Sequence, residues 1–410
     1  MVNGEEIVNN RGYHLIVTLP VTLVRRPFAP QFAHTAVKKE NVMSCHKPPV
    51  LLALFILLLA ACTAQPTAPP AAPPATTPLP ATAVIETPTA TVNTPTAVPA
   101  PVEYPVTAIP LSGPLARASA EISGLAWHGD TLILLPQYPT FAGQGSFLYA
   151  LPKSAIVDFL DGRSADPLAP QAIPFAAPGL ADTIPGFQGY EAIAFAGDDV
   201  YLTVEADGRN GAMGYLVRGT IAPDLSQITI DADSLVEIAP QTNRGNTSDE
   251  TLLVNGESLV TLYEVNGAAL NQRPAAHLFT LEGATAGTLP MAALEYRVTD
   301  ATAVDGNGRF WVINYFFPGD TDLRPVTDPL SEQFGQGITH QQREQVERLV
   351  ELQLGEEAIT LSGAPPIQLQ LPDDEARNWE GLVRLDERGF LLATDKFPTT
   401  ILGFVAAGGD

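Results

Sequence analysis

The chain has 410 residues, with 22 basic and 45 acidic side chains and a formal net charge of −23. So acidic a surface repels nucleic acid at long range, which excludes DNA and RNA as partners. Its two cysteines, Cys45 and Cys62, both lie before residue 103, so disulfides, thiolate chemistry and Cys-ligated zinc or iron–sulfur centres are excluded beyond that point.

Met43 opens a more usual secretory signal than Met1, and residues 1–42 read as an early start or a long leader. Val50–Ala61 is a run of twelve uncharged residues behind His46 and Lys47. A membrane-crossing helix needs about 20 apolar residues, so the run suits the core of a signal over residues 43–61 better than a span. Leu59-Ala60-Ala61-Cys62 resembles the lipobox of bacterial lipoproteins. The resemblance implies acyl chains on Cys62, membrane lipid as a partner and a folded part outside the cytoplasm. An ordinary signal, or a short membrane helix with an unrelated cysteine, is the alternative. Residues 62–102 are almost wholly Ala, Pro and Thr, with Glu86 their only charge. Such a segment stays extended and solvated, as a stalk does. Without residues 1–61 the chain keeps 16 basic and 42 acidic side chains.

Residues 103–410 read as one domain. Five similar stretches run through it: Glu121–Gln137 (EISGLAWHGDTLILLPQ), Tyr190–Asp207, Asp249–Asn266, Thr299–Phe316 and Asn378–Phe397. Each is an acidic residue, a short apolar strand, a turn and a second apolar strand. The turns at Gly129-Asp130, Gly197-Asp198, Asn255-Gly256, Asn307-Gly308 and Arg388-Gly389 suit β-hairpins. Further strands are expected between them, at 146–151, 171–175, 214–218, 234–238, 277–281, 292–298, 345–354 and 366–371. Thr339–Val350 is the one helical candidate.

Four-stranded sheets of this size bury both faces only by stacking, and radial closure gives a β-propeller. The prediction is an all-β, five-bladed propeller, closed by pairing Tyr104–Leu111 with the last strand, Thr400–Val405. Six blades follow if the polar excursion Pro318–Glu344 hides another unit, and a pair of β-sandwiches is the rival fold.

In a propeller, equivalent positions form rings around one mouth. Glu121, Glu191, Glu250, Asp300 and Glu380 make one candidate ring, and Glu205, Glu264, Asn314 and Asp395 another. Carboxylates facing one channel repel unless protons or a cation intervene, and an all-oxygen set favours Ca2+. The same positions also suit a structural role, accepting backbone hydrogen bonds that fix the loops between blades. PQYPTF (136–141), NYFFPGD (314–320) and DKFPTT (395–400) place aromatics beside proline, either as a rigid ligand platform or as covers for sheet ends. Arg209, Arg244, Arg273, Arg324 and Arg377 either meet an anion or pair with nearby carboxylates. His128, His277 and His340 belong to no nucleophile motif, and no G-x-S-x-G, H-E-x-x-H or phosphate-loop pattern occurs.

The units EISGLAW, YEAIAF, TDATAVDGNGRFWVINYFF and NWEGLVRLDERGFLLATDKF resemble the phytase-like propeller family with esterase-like activity, and the related SdiA-regulated calcium-binding propellers. That resemblance implies calcium at Glu121, Glu191, Glu380, Glu205 and Asp395, and a calcium-dependent phosphoester or ester hydrolase. Only Lys153 and Lys396 follow Cys62, few for gripping inositol phosphate. The residues themselves point to a monomer that binds a small molecule, glycan or protein at its channel mouth.

Overall fold

The computed structural model describes residues 100–406, apart from 209, 210 and 374. Residues 1–42, the signal 43–61, Cys62 and nearly all of the stalk lie outside the described residues, as does Arg209.

Two short strands lead: β1 (Glu103–Tyr104) and β2 (Thr107–Ile109). Then follow β3 (Ile122–His128), β4 (Thr131–Pro136), β5 (Phe147–Pro152) and β6 (Gln171–Ala176), each antiparallel to the one before. The pattern repeats in β7 (Phe187–Ala196), β8 (Asp199–Gly208), β9 (Gly211–Ile221) and β10 (Ile228–Ile238). A parallel pairing of β10 with β6 joins these two runs at their outer strands. A third run is β11 (Asp249–Asn255), β12 (Ser258–Tyr263), β13 (Ala275–Thr280) and β14 (Thr285–Pro290). The fourth comprises β15 (Arg297–Ala301), β16 (Arg309–Phe316) and β17 (Val346–Leu354), with β18 (Ile359–Leu361) and β19 (Ile367–Leu369) both pairing with β17. Last come β20 (Trp379–Leu385), β21 (Gly389–Thr394) and β22 (Leu402–Ala406).

Strands covered on both faces read as unbroken apolar runs, and β4 (TLILLP) is one. Its side chains alternate in direction. Ile133 and Leu135 join Val200, Leu202 and Val217 in one core, while Leu132 and Leu134 join Leu385, Leu391 and Leu402 in another. Equivalent cores link the second run to the third through Tyr201, Leu252 and Phe279, and the third to the fourth through Leu253, Val260 and Val312. The fourth meets the last through Ile313, Leu349, Trp379 and Leu392. Each such Leu, Ile or Val contributes about 1.5–3 kcal/mol on burial, so sheet stacking holds the fold. The first strands lie side by side in the order β3, β7, β11, β15, β20, and β20 lies beside β3. The fold is all-β, mostly antiparallel and propeller-like.

The chain start serves two sheets. Strand β2 adds antiparallel to β22, and β1 adds parallel to β19. The carboxylate of Glu103 accepts hydrogen bonds from the backbone N–H of Thr339 (2.9 Å) and His340 (3.0 Å), and pairs with His340 Nδ1 at 2.7 Å. The role of β1 was not anticipated from sequence.

Three local expectations fail. Strand β14 lies at Thr285–Pro290 instead of 292–298, because Val298 already belongs to the inner strand β15. Lys153–Leu160 forms a helix that the sequence reading missed. The expected helix over Thr339–Val350 stops at Gln342, and Val346 onward is strand, its charges Glu347 and Arg348 buried and paired. Between Pro318 and Glu344 the structure places a 3-10 turn and two short helices, and no strand.

Candidate functional site

The inner strands share a fault in register. One extra residue bulges from β3 at Ser123, from β11 at Glu250 and from β20 at Glu380. The same shift covers Glu191-Ala192 in β7 and Thr299-Asp300 in β15. A bulge leaves the extra residue unpaired and re-aims its side chain. Three of these bulges direct a glutamate into a common cavity of about 910 Å3, lined also by Glu205, Glu264, Asp395, Arg297, Gln137 and Asn378.

Of the eight carboxylates in the two candidate rings, the structure therefore brings six together: Glu191, Glu205, Glu250, Glu264, Glu380 and Asp395. Glu121 and Asp300 do not line the cavity. Glu121 precedes β3 at a left-handed φ of 46°, with Lys396 Nζ 3.4 Å from its carboxylate. The bulged position of that strand belongs instead to Ser123, whose hydroxyl donates to the Tyr190 carbonyl at 2.7 Å. In the fourth run Thr299 donates to the Trp379 carbonyl at 2.6 Å. Asp300 turns away and accepts from the N–H of Ala301 (2.8 Å) and Leu382 (2.6 Å), the structural use. Asn314 is likewise structural, accepting from Arg348 Nε at 2.7 Å and donating to the Glu295 and Arg297 carbonyls.

Electrostatics at the floor follow from enclosure. Burial pushes Glu191, Glu250 and Glu380 well above the usual carboxylate range, and repulsion from neighbouring carboxylates adds to it, first from Glu205 on Glu191, Glu264 on Glu250 and Asp395 on Glu380. Burial, then Glu264, pushes Glu205 up to about 7. Glu264 is raised by burial, and Arg297 opposes this. Arg297 donates to Glu264 and, through Nε, to Asp320 at 2.8 Å. Arg244 also grips Asp320 (3.2 Å) and Asp322 (2.8 Å), which anchors the loop bearing Phe317 and Pro318. Glu205 and Glu264 are 4% and 1% exposed, and the Oε2 atom of each lacks a protein hydrogen-bond partner. Leaving such an atom unmet inside a protein costs about 1–3 kcal/mol, so it marks a place where a ligand or water bonds.

The rim is aromatic. Phe317 and Phe397 line the mouth at 50% and 58% exposure, and Tyr138 stands close enough to feel Glu191, Glu121, Glu205 and Asp395. All three Pro-aromatic segments thus meet at the acidic floor. Of the arginines singled out in sequence, Arg324 pairs with Glu344 and Arg377 with Glu347, while Arg244 reaches across the sequence to Asp320 and Asp322. Arg297, inside the cavity, was missed; its neighbour Glu295 and the apolar Val298 gave no periodic signal. Gln137, at the end of β4, is the first run's counterpart of the second acidic ring and donates to Glu191 at 3.2 Å.

Calcium takes 6–8 oxygens at about 2.3–2.6 Å. Among the described residues no three His, Asp, Glu or Cys side chains group as a metal ion requires. Among the same residues no helix is long and apolar enough to cross a membrane.

No protein-family model matches the sequence, and no curated protein is similar to it. Solved structures that resemble the fold include a glycoside hydrolase from Parabacteroides distasonis, described as putative in its own name (11% identity, 76% of this chain and 93% of that one, TM-score 0.40). An exo-1,5-alpha-L-arabinanase from a bovine ruminal metagenomic library is 9% identical over 71% of this chain and 94% of its own, at TM-score 0.40. An alpha-L-arabinanase from Cellvibrio cellulosa is 11% identical over 71% and 93%, at TM-score 0.39. Likenesses this distant carry no conclusion about activity. They are glycoside hydrolases, however, and none is a phytase-like or SdiA-regulated calcium propeller, so that resemblance and its esterase-like activity are withdrawn. In the first of the resembling units, the E-x-x-G-L-A opening puts Glu121 two positions ahead of the inward bulge.

Proposed function

We propose that this chain is an extracytoplasmic, lipid-anchored propeller of five blades that binds a saccharide at its central mouth. The anchor rests on Leu59-Ala60-Ala61-Cys62, and the blade count on the five first strands and the neighbouring of β20 and β3. The observation that carries the ligand reading is the pair of buried, unpartnered carboxylate oxygens on Glu205 and Glu264, set beneath exposed Phe317 and Phe397. Sugar hydroxyls donate to such oxygens, and the apolar faces of sugar rings stack on aromatic side chains. The test is calorimetric titration of the purified chain with a panel of neutral, acidic and amino oligosaccharides. Binding that disappears in the Phe317→Ala/Phe397→Ala double variant supports the reading; a silent panel ends it.

A second reading, hydrolysis of a glycosidic bond, is favoured by one observation. Glu205 keeps a proton close to neutral pH, as a general acid does, while Arg297 favours the ionised form of Glu264 beside it. Release of reducing ends from the same panel, abolished by Glu205→Gln, is the expected signature; no release by the wild-type chain removes this reading.

A further inference from the structure

The carboxyls around the cavity outnumber the cations that face them. Asp320 is held by Arg244 and Arg297, Glu264 by Arg297, and Glu121 by Lys396. Among the described residues, Glu191, Glu205, Glu250, Glu380 and Asp395 face the same space with no ion-pair partner. Their side-chain partners carry no charge: Gln137 on Glu191, Ser248 on Glu205, and Asn378 on Glu380 and Asp395. Glu205 has an oxygen with no partner at all.

We infer that the saccharide this cavity takes carries a protonated amine, which sits among the unpaired carboxylates on the cavity floor. The inference rests on the saccharide reading above and narrows its substrate class. Two features favour an organic over an inorganic cation as the occupant. The carboxyls are spread around a space of about 910 Å3. A metal ion also leaves the apolar rim unused, whereas an organic cation presents both a charge and a carbon surface. The mouth already seats one ammonium in this manner: Lys396 Nζ lies 5.7 Å over the Phe397 ring and 3.4 Å from Glu121. A neutral sugar satisfies the rim and the open oxygens but leaves the five carboxyls to hold protons or repel. An amine replaces those protons with a permanent partner.

The test is a matched series of β-1,4-linked trisaccharides that differ only at C2, bearing an amine, an acetamide or a hydroxyl. Each is titrated at pH 6.5 into the full chain and into the isosteric variants Glu205→Gln and Glu380→Gln. Circular dichroism confirms that each variant is folded. The amine form should bind at least about tenfold tighter than either neutral form, with the preference shrinking in both variants and at high salt. Equal or tighter binding of the acetamide or hydroxyl form overturns the inference and leaves the saccharide reading standing. An amine preference that both folded variants retain undiminished also overturns it. Failure of all three sugars, together with a silent wider panel, removes the saccharide reading itself.

Discussion

Replacing Glu205 by glutamine should stabilise this protein at pH 8, although the residue is 4% exposed and such substitutions usually destabilise. Its carboxyl is raised from 4.5 to about 7, by burial first and by Glu264 next. The folded chain therefore binds this proton more tightly than the unfolded chain does. Its contribution to stability is full below pH 4.5 and is lost as pH rises through about 7. At about 1.4 kcal/mol per pH unit, ionising the group in the folded state costs about 3 kcal/mol by pH 8. Glutamine keeps the shape and carries no charge. Urea unfolding of the purified wild type and Glu205→Gln from pH 4.5 to 8 measures the difference. The variant should match the wild type at pH 4.5, exceed it by up to about 3 kcal/mol at pH 8, and show a pH slope smaller by about one proton. Equal destabilisation at both ends, or an unchanged slope, refutes the reasoning.

Three other outcomes are expected, two from the structure and one from the sequence around Cys62. Arg297→Ala strands Glu264 in the interior and takes from Asp320 one of its two arginines, and should cost about 3–5 kcal/mol in urea unfolding, with the loss greatest where Glu264 is ionised. Ile109→Ala, in the short strand that completes the last sheet, should cost about 2–5 kcal/mol despite its distance in sequence from β22, and a cost under about 1 kcal/mol would deny that β2 closes the fold. Cys62→Ser should move the chain from the membrane pellet to the soluble fraction on ultracentrifugation; retention in the pellet removes the lipid anchor from the account.

The hairpins were legible because their causes are local. Runs such as LILL in β4 and VYLTV in β8 favour the pleated state, and glycines at positive φ (Gly129, Gly197, Gly256, Gly308) close the turns. The meeting of the Pro-aromatic segments with six acidic side chains followed from ring geometry. Register was the part that stayed hidden. A bulge shifts which residue of a strand points inward, and nothing in E-I-S-G-L distinguishes Glu121 from Ser123 as the inward one. An ambiguity of one position likewise separates Thr299 from Asp300. Arg297 was invisible for a different reason. Its partners Glu264 and Asp320 lie on other elements, and only folding makes them neighbours. Strand β1 escaped notice because two residues in parallel pairing leave no periodic pattern.

The whole account depends on one enclosed space where acidic side chains from separate sheets meet a bound sugar. A crystal structure of the chain with the tightest-binding oligosaccharide of the panel addresses it most directly. The account predicts a sugar ring against Phe317 and Phe397, with Oε2 of Glu205 and of Glu264 each within about 3 Å of a ligand donor. Sugar bound elsewhere on the surface, with both oxygens still unpartnered, contradicts it.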